Sequence, residues 1–302
     1  MVDVTVLTCK AYDRPEVVSA YTDNILLEYQ YLKAALEAKG LKVERTYWDN
    51  PDYDWSQTKA IVFRTIWDYF ERFDEFWPWL QAVQADTKLV NPMNLIAWNI
   101  DKHYLKDLDQ WGIPIVPTIF VDKSHPLPLE LLAKNNNWEA VVVKPAIAGG
   151  GYLTYKWTQE EWPKAQLLFE ELVGQRDMLV QGFVESITTK GEISLMVFDG
   201  IYTHAILKKA KSGDFRVQDD FGGTVHPYQA RESEIALAEK VMALCDPVPA
   251  YGRVDIVWDQ RGQPMVSELE IIEPELWVRE CPESAAYFAR GIMRYLDTNA
   301  NQ

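Results

Sequence analysis

Four charged residues in two short runs carry the densest chemistry in this sequence: Arg253-Val254-Asp255 and Glu268-Leu269-Glu270. Between them, 259–264 is a polar stretch containing a glycine, and apolar β-formers flank it, which is the pattern of a hairpin. With Arg261-Gly262 as a two-residue loop, paired residue numbers sum to 523 and Asp255 faces Glu268. Residues i and i+2 share one face of a strand. All four side chains would then point the same way, roughly 5 Å apart across the strands. Opposed acids destabilise a sheet unless cations neutralise them, and hard oxygen donors held in this way suit Mg²⁺. The alternative is a solvated acidic hairpin face.

The cations are equally patterned. Lys144 ends the apolar run Val141-Val142-Val143 and leads into Ala148-Gly149-Gly150-Gly151-Tyr152. A lysine there can hold phosphate as a point charge, and glycine amides can close over it without a Cβ in the way. The spacing is not that of a GxxxxGK[ST] loop, and a plain hairpin loop would also explain it. Lys208, Lys209, Lys211 and Arg216 lie within nine residues, suited either to a polyphosphate with an anionic substrate or to solvent. Val180-Gln181-Gly182-Phe183-Val184-Glu185 can offer backbone groups to a purine edge and a carboxylate to ribose hydroxyls, or be an edge strand. Lys102 stands at a helix start. Arg64 and Asp68 follow an apolar strand, where open α/β sheets bind ligands, though capping or a structural ion pair accounts for them as well. His204 and His226 show no partner pattern, and no Ser/His/Asp or Cys/His set is present.

Such residues need a rigid frame, and the chain supplies one. Apolar β-rich segments at 4–9, 41–48 and 60–65 alternate with helical ones at 25–39 and 70–84, which predicts a βαβ unit with a parallel sheet. A short strand at 88–90 closes a first unit. Further on, the pattern predicts a helix over 101–111, strands at 140–144 and 153–156, a helix over 160–172 and a strand from 178 running into 183–185. After these come a strand-rich region up to 272, a helix at 233–244 and a final helix over 284–297. At 302 residues and 48% hydrophobic the chain can bury two or three cores. Thirty Lys+Arg against 45 Asp+Glu give a net charge of −15, which argues against nucleic acid or an anionic membrane as main partner. Three cysteines without a CxxC, no basic leader and no apolar run of spanning length set the cytoplasm as the expected location. Six of the twelve tryptophans fall before residue 100, the pattern of a core or a dimer interface.

In this order, Lys102, Lys144 with its glycine loop, 181–185, 209–216 and the Asp255/Glu268/Glu270 hairpin resemble the ATP-grasp superfamily. The stretch 205–223 is similar to the glutamate-adding ligases of ribosomal protein tails, and Arg253-Val254-Asp255 to D-alanine–D-alanine ligases. Trp67-Asp68-Tyr69-Phe70 and Asp101-Lys102-His103-Tyr104 most resemble the cyclo-ligases that close O-ureido-D-serine to cycloserine. The resemblance implies an α/β (α+β) ATP-grasp fold in three parts: an N-terminal α/β domain (1–98), a central lid (99–184) and a mainly antiparallel C-terminal domain (185–302). It further implies an ATP- and Mg²⁺-dependent carboxylate–amine ligase working through an acyl phosphate, with Mn²⁺ as alternative metal, an amino-acid-like substrate and a homodimer. Intermolecular ligation is the leading reading, ahead of cyclisation, a kinase or a non-catalytic ATP-binding protein. Lys102, Lys144, Gly149, Gly150, Gly151, Gln181, Phe183, Val184, Glu185 and Lys209 would hold ATP, and Asp255, Glu268 and Glu270 the metal. Arg216 and Arg253 would serve catalysis, with Arg64, Asp68 and Gly223 toward the substrate. The sequence departs from the superfamily at Glu270, often Asn, and at Gly182, often a larger residue, so a backbone role is expected there.

Overall fold

A computed structural model describes residues 1–211, 213–217 and 222–297. The chain begins with β1 (Val2–Thr8), α1 (Lys10–Asp13), α2 (Ala20–Glu37), β2 (Val43–Tyr47), β3 (Thr58–Thr65), α3 (Phe73–Val83) and β4 (Lys88–Val90). The strands form the expected parallel sheet, in the order β2-β1-β3-β4. α2 starts five residues before the apolar pattern predicts, because Ser19 caps it: Ser19 Oγ accepts from the Thr22 N–H, and Thr22 Oγ1 accepts from the Ser19 N–H.

α4 (Met93–Asn99) and α5 (Tyr104–Gln110) then lead to a second sheet. It is built from β5 (Thr118–Val121), β6 (Ala140–Pro145), β7 (Tyr155–Thr158) and β8 (Met178–Gly182), with α6 (Leu129–Asn135) and α7 (Trp162–Gln175) packed over Val141, Val143 and Val180. The order is β5-β8-β6-β7, all antiparallel. β8 stops at Gly182 rather than continuing to residue 185, and Glu185 instead precedes the short α8 (Ser186–Thr189). β7 lies two residues beyond its predicted place, so the glycine loop is longer than the sequence pattern suggests.

The third sheet holds β9 (Glu192–Phe198), β10 (Ile201–Lys209), β11 (Thr224–Tyr228), β12 (Tyr251–Trp258) and β13 (Pro264–Glu270), antiparallel in the order β11-β10-β9-β12-β13. One face packs Ile193, Leu195, Val254 and Ile256 on α9 (Glu232–Leu244). From the other, Met196, Phe198 and Tyr251 meet α10 (Ser284–Asp297), which also packs on α2. Phe288 of α10 is fully buried there, and its truncation to alanine would cost about 3–5 kcal/mol.

β13 is an edge strand, yet its free edge is occupied. Val266 exchanges backbone hydrogen bonds with Pro114 and Val116. Asn99 Nδ2 donates to the Leu269 carbonyl at 2.8 Å, and the Ile271 N–H donates to Asn99 Oδ1 at 3.0 Å. The Leu269 N–H donates to the Tyr104 hydroxyl, and Asn91 Nδ2 to the Ile271 carbonyl. Side chains of the linker helices and their approach thus satisfy the groups an edge would expose.

Candidate active site

The hairpin pairs Arg253 with Glu270 and Asp255 with Glu268, as the residue sum requires. The loop, however, is three residues long: Asp259 bonds Gln263, and Gly262 closes it at φ +76°, where a Cβ would be strained. Ser267 then bulges out of β13, restoring the register by one residue.

Arg253, Asp255 and Glu270 form one ion network. Arg253 Nε lies 2.9 Å from Asp255 Oδ1 and Nη2 2.8 Å from Oδ2, while Nη2 also reaches Glu270 Oε1. Ser194 Oγ donates to Asp255, and Lys208 Nζ bridges Asp255 at 3.2 Å and Glu192 at 2.6 Å. Burial opposes ionisation of Asp255, but Arg253 and Lys208 outweigh it and hold the carboxyl below its ordinary range. Glu268 pairs with Lys102 Nζ at 3.1 Å; burial likewise opposes its ionisation, and Lys102 and Lys144 hold it low. Glu270 goes the other way: burial, against the pull of Arg253 and with the push of Glu268 and Asp255, raises it to about 7.

These groups line a cavity of about 550 Å³ that also takes in Lys144, Gly149, Gly150, Gly151, Gln181, Phe183, Val184 and Arg216. Lys102 Nζ donates to the Ala148 carbonyl, tying the glycine loop to the carboxylates. Burial lowers the Lys144 ammonium, with Glu268 opposing that shift. At Gly182 a Cβ would come 2.6 Å from Trp138 Nε1, so the indole fills the space that a larger residue would take. Arg216 is held by Asp214 at 2.9 Å.

Other expected residues lie elsewhere. Lys209 is exposed and does not line the cavity; strand alternation turns its neighbour Lys208 inward instead. Glu185 is exposed beside Val184, and Gly223 lies outside the lining, ahead of β11. Arg64 donates to the Pro274 carbonyl at 2.8 Å and faces Glu28 at 3.8 Å in a small cavity that adjoins the large one at Tyr21, Trp67 and Glu275. Asp68 accepts from Trp48 Nε1 and pairs with Arg72, which is the structural reading of that residue. Two cavity acids, Glu192 and Glu273, were not singled out from the sequence as site residues. Burial, reinforced by Glu270, pushes Glu273 up to about 8. Strand pairing with Lys208 is the signal that could have found Glu192; Glu273 lies past the strand end and carries no local signal.

Whether the carboxylates suit Mg²⁺ turns on their arrangement. Among the described residues, the set of three acidic, His or Cys side chains with ligand atoms all within 4.8 Å of one another is Asp101, His103 and Asp177. Asp255, Glu268 and Glu270 therefore do not form an all-protein cage, and Arg253, Lys102 and Lys208 stand among them. That fits Mg²⁺, which takes one or two carboxylates and completes its shell with water and substrate phosphates.

Sequence and fold comparisons of the whole chain point the same way. The family described as "D-cycloserine synthetase DcsG, N-terminal domain" matches residues 4–91. The cycloserine biosynthesis protein DcsG of Streptomyces lavendulae is 32% identical over 305 aligned positions, covering 93% of this chain and 99% of that protein. The chain belongs to the DcsG family. A crystal structure of D-cycloserine synthetase DcsG superposes with a TM-score of 0.84 at 29% identity, over 97% of this chain and 100% of that one. A RimK-domain ATP-grasp protein from Sphaerobacter thermophilus gives 0.68 at 16% identity, over 96% and 98%, which shows the shared fold. The fold is ATP-grasp, and the DcsG-family chain is an enzyme: an ATP-dependent ligase that forms a carbon–nitrogen bond.

Proposed function

We propose that this protein activates a carboxylate of a small amino-acid-like substrate as an acyl phosphate and closes it onto a nitrogen of the same molecule, as a cycloserine-type cyclo-ligase. The observation that carries this over intermolecular ligation is the 32% identity with DcsG over 93% of this chain. Lys102, Lys144 and Lys208 would hold ATP phosphates, the 149–151 loop would close over them, and 181–184 would present backbone to the adenine. Asp255, Glu268 and Glu270 would hold Mg²⁺, or Mn²⁺ in its place, which neutralises charge during phosphoryl transfer. Arg216 and Arg253 would stabilise the transferring phosphoryl group and then the tetrahedral oxyanion. Exclusion of water by the loop protects the acyl phosphate from hydrolysis. The three sheets support the three-part division at residues 98 and 184. A homodimer in the cytoplasm completes the proposal; among the described residues no helix is long and apolar enough to cross a membrane.

The test is ADP release with O-ureido-D-serine, ATP and Mg²⁺ and no added amine. ADP with an equivalent of ring product is expected. ADP that appears only when an amine is added would overturn cyclisation in favour of intermolecular ligation. ADP without product or hydroxylamine-trapped hydroxamate would point to a kinase.

A further inference from the structure

Apart from Glu71, which is exposed to solvent, the acids of the cavity have cations, with one exception. Asp255 has Arg253 and Lys208, Glu192 has Lys208, Glu268 has Lys102, Glu270 has Arg253 and Glu275 has Arg279. Glu273 is 8% exposed and lines the same cavity, yet among the described residues no Lys, Arg or His nitrogen lies within 4 Å of its carboxylate. Its hydrogen-bond partner is the Tyr69 hydroxyl, a neutral donor. Lys102 acts on Glu273 only from beyond that distance; a buried carboxylate without a paired cation is costly, and the cost is removed when a cation arrives. The cavity wall here includes Trp67, Tyr69 and Trp277. Aromatic rings suit a cation better than an anion, as the Arg253 guanidinium 5.5 Å over the Trp277 ring already shows, and Trp67 is fixed by donating to the Glu273 backbone carbonyl at 2.9 Å.

We infer that Glu273 receives the free ammonium of the substrate, so that this ligase takes molecules carrying a cationic amine besides the carboxylate it activates and rejects their N-acylated forms. This rests on the ligase reading above and names the substrate class. An amine held against a carboxylate keeps its proton and has no lone pair to attack the activated carbonyl. The nucleophile is then a nitrogen other than this ammonium, and ring closure is directed away from it.

The experiment compares O-ureido-D-serine with its N-acetyl derivative by ADP release, on wild type, Glu273→Gln and Glu273→Asp, with melting curves as a check of folding. Glutamine keeps the size and the Tyr69 bond while deleting the charge. Loss of a charged hydrogen bond predicts a KM for the free amine raised roughly 10- to 100-fold in Glu273→Gln, with kcat and the KM for ATP moving far less. The preference for free over acetylated substrate should collapse, and Glu273→Asp should recover part of it. A folded Glu273→Gln enzyme that keeps the wild-type KM and preference overturns the inference. If O-ureido-D-serine releases no ADP from wild type, the cyclisation reading fails. The same free-against-acetylated comparison is then made on whichever amino acid a panel shows to be the acyl donor, and equal use of both forms overturns the assignment to Glu273.

Discussion

Replacing Arg253 with methionine tests how the carboxylate face is held together. The guanidinium spans both Asp255 oxygens and reaches Glu270, and it is 8% exposed. Methionine keeps much of the stem but removes the charge, leaving Glu270 without its cation and Asp255 with Lys208 as its one paired cation beside the Ser194 hydroxyl. Breaking a buried pair from one side costs about 3–5 kcal/mol, because the remaining charge is uncompensated. With an unfolding entropy of about 2.1 cal/mol/K per residue, each kcal/mol moves the midpoint of a 302-residue chain by about 1.6 °C, so it should fall by roughly 5–8 °C. Arg253 is therefore structural, and if it also serves catalysis as proposed, its removal should lower turnover by about 10²-fold on top of the thermal loss. The assay is a melting curve in metal-free buffer beside ADP release. Arg253→Met combined with Asp255→Asn removes one orphaned charge, so it should regain part of the midpoint and none of the activity. An Arg253→Met midpoint within about 2 °C of wild type would refute this account of the ion network.

Lys208→Met should cripple ADP release and lower the midpoint, whereas Lys209→Met should change neither by much; the reverse result would mean that β10 is turned over. Glu268→Gln should keep its fold but lose about 10²-fold in turnover with weaker Mg²⁺ activation, read from a metal titration. Glu273 binds its proton more tightly folded, at about 8, than at the ordinary 4.5, so the stability it contributes is full below pH 4.5 and declines as pH rises to about 8. Melting temperatures from pH 5 to 8 should thus fall less steeply in Glu273→Gln than in wild type, and parallel curves would count against that shift.

The sequence was legible where local rules decide. Parallel strands, the closing helix over 284–297 and the facing of Asp255 by Glu268 all follow from periodicity and turn chemistry. The hairpin register came out right through compensation: the loop is one residue longer than a two-residue turn, and the Ser267 bulge takes that residue back. Lys208 was passed over for Lys209 because inward and outward faces of β10 are fixed by its pairing with β9, which no local pattern reveals. Arg64 and Asp68 carry the right chemistry at the right strand end, but Pro274 and Trp48, both distant in sequence from them, hold them in place, with Arg72 one helical turn away adding an ion pair to Asp68. Glu273 is buried only once the segment after β13 folds back beside Tyr69 and Trp67.

The capped edge of β13 has a consequence for protein engineering. Asn91, Asn99 and Tyr104 hold the strand that carries Glu268 and Glu270, and the same linker carries Lys102. A β12–β13 hairpin grafted alone into a related scaffold would bring its acids with a raw, sticky edge and without the Lys102 that pairs with Glu268. The transferable module is the pair of segments 91–104 and 251–272, and chimaeras cut between them should be less soluble than those that move both.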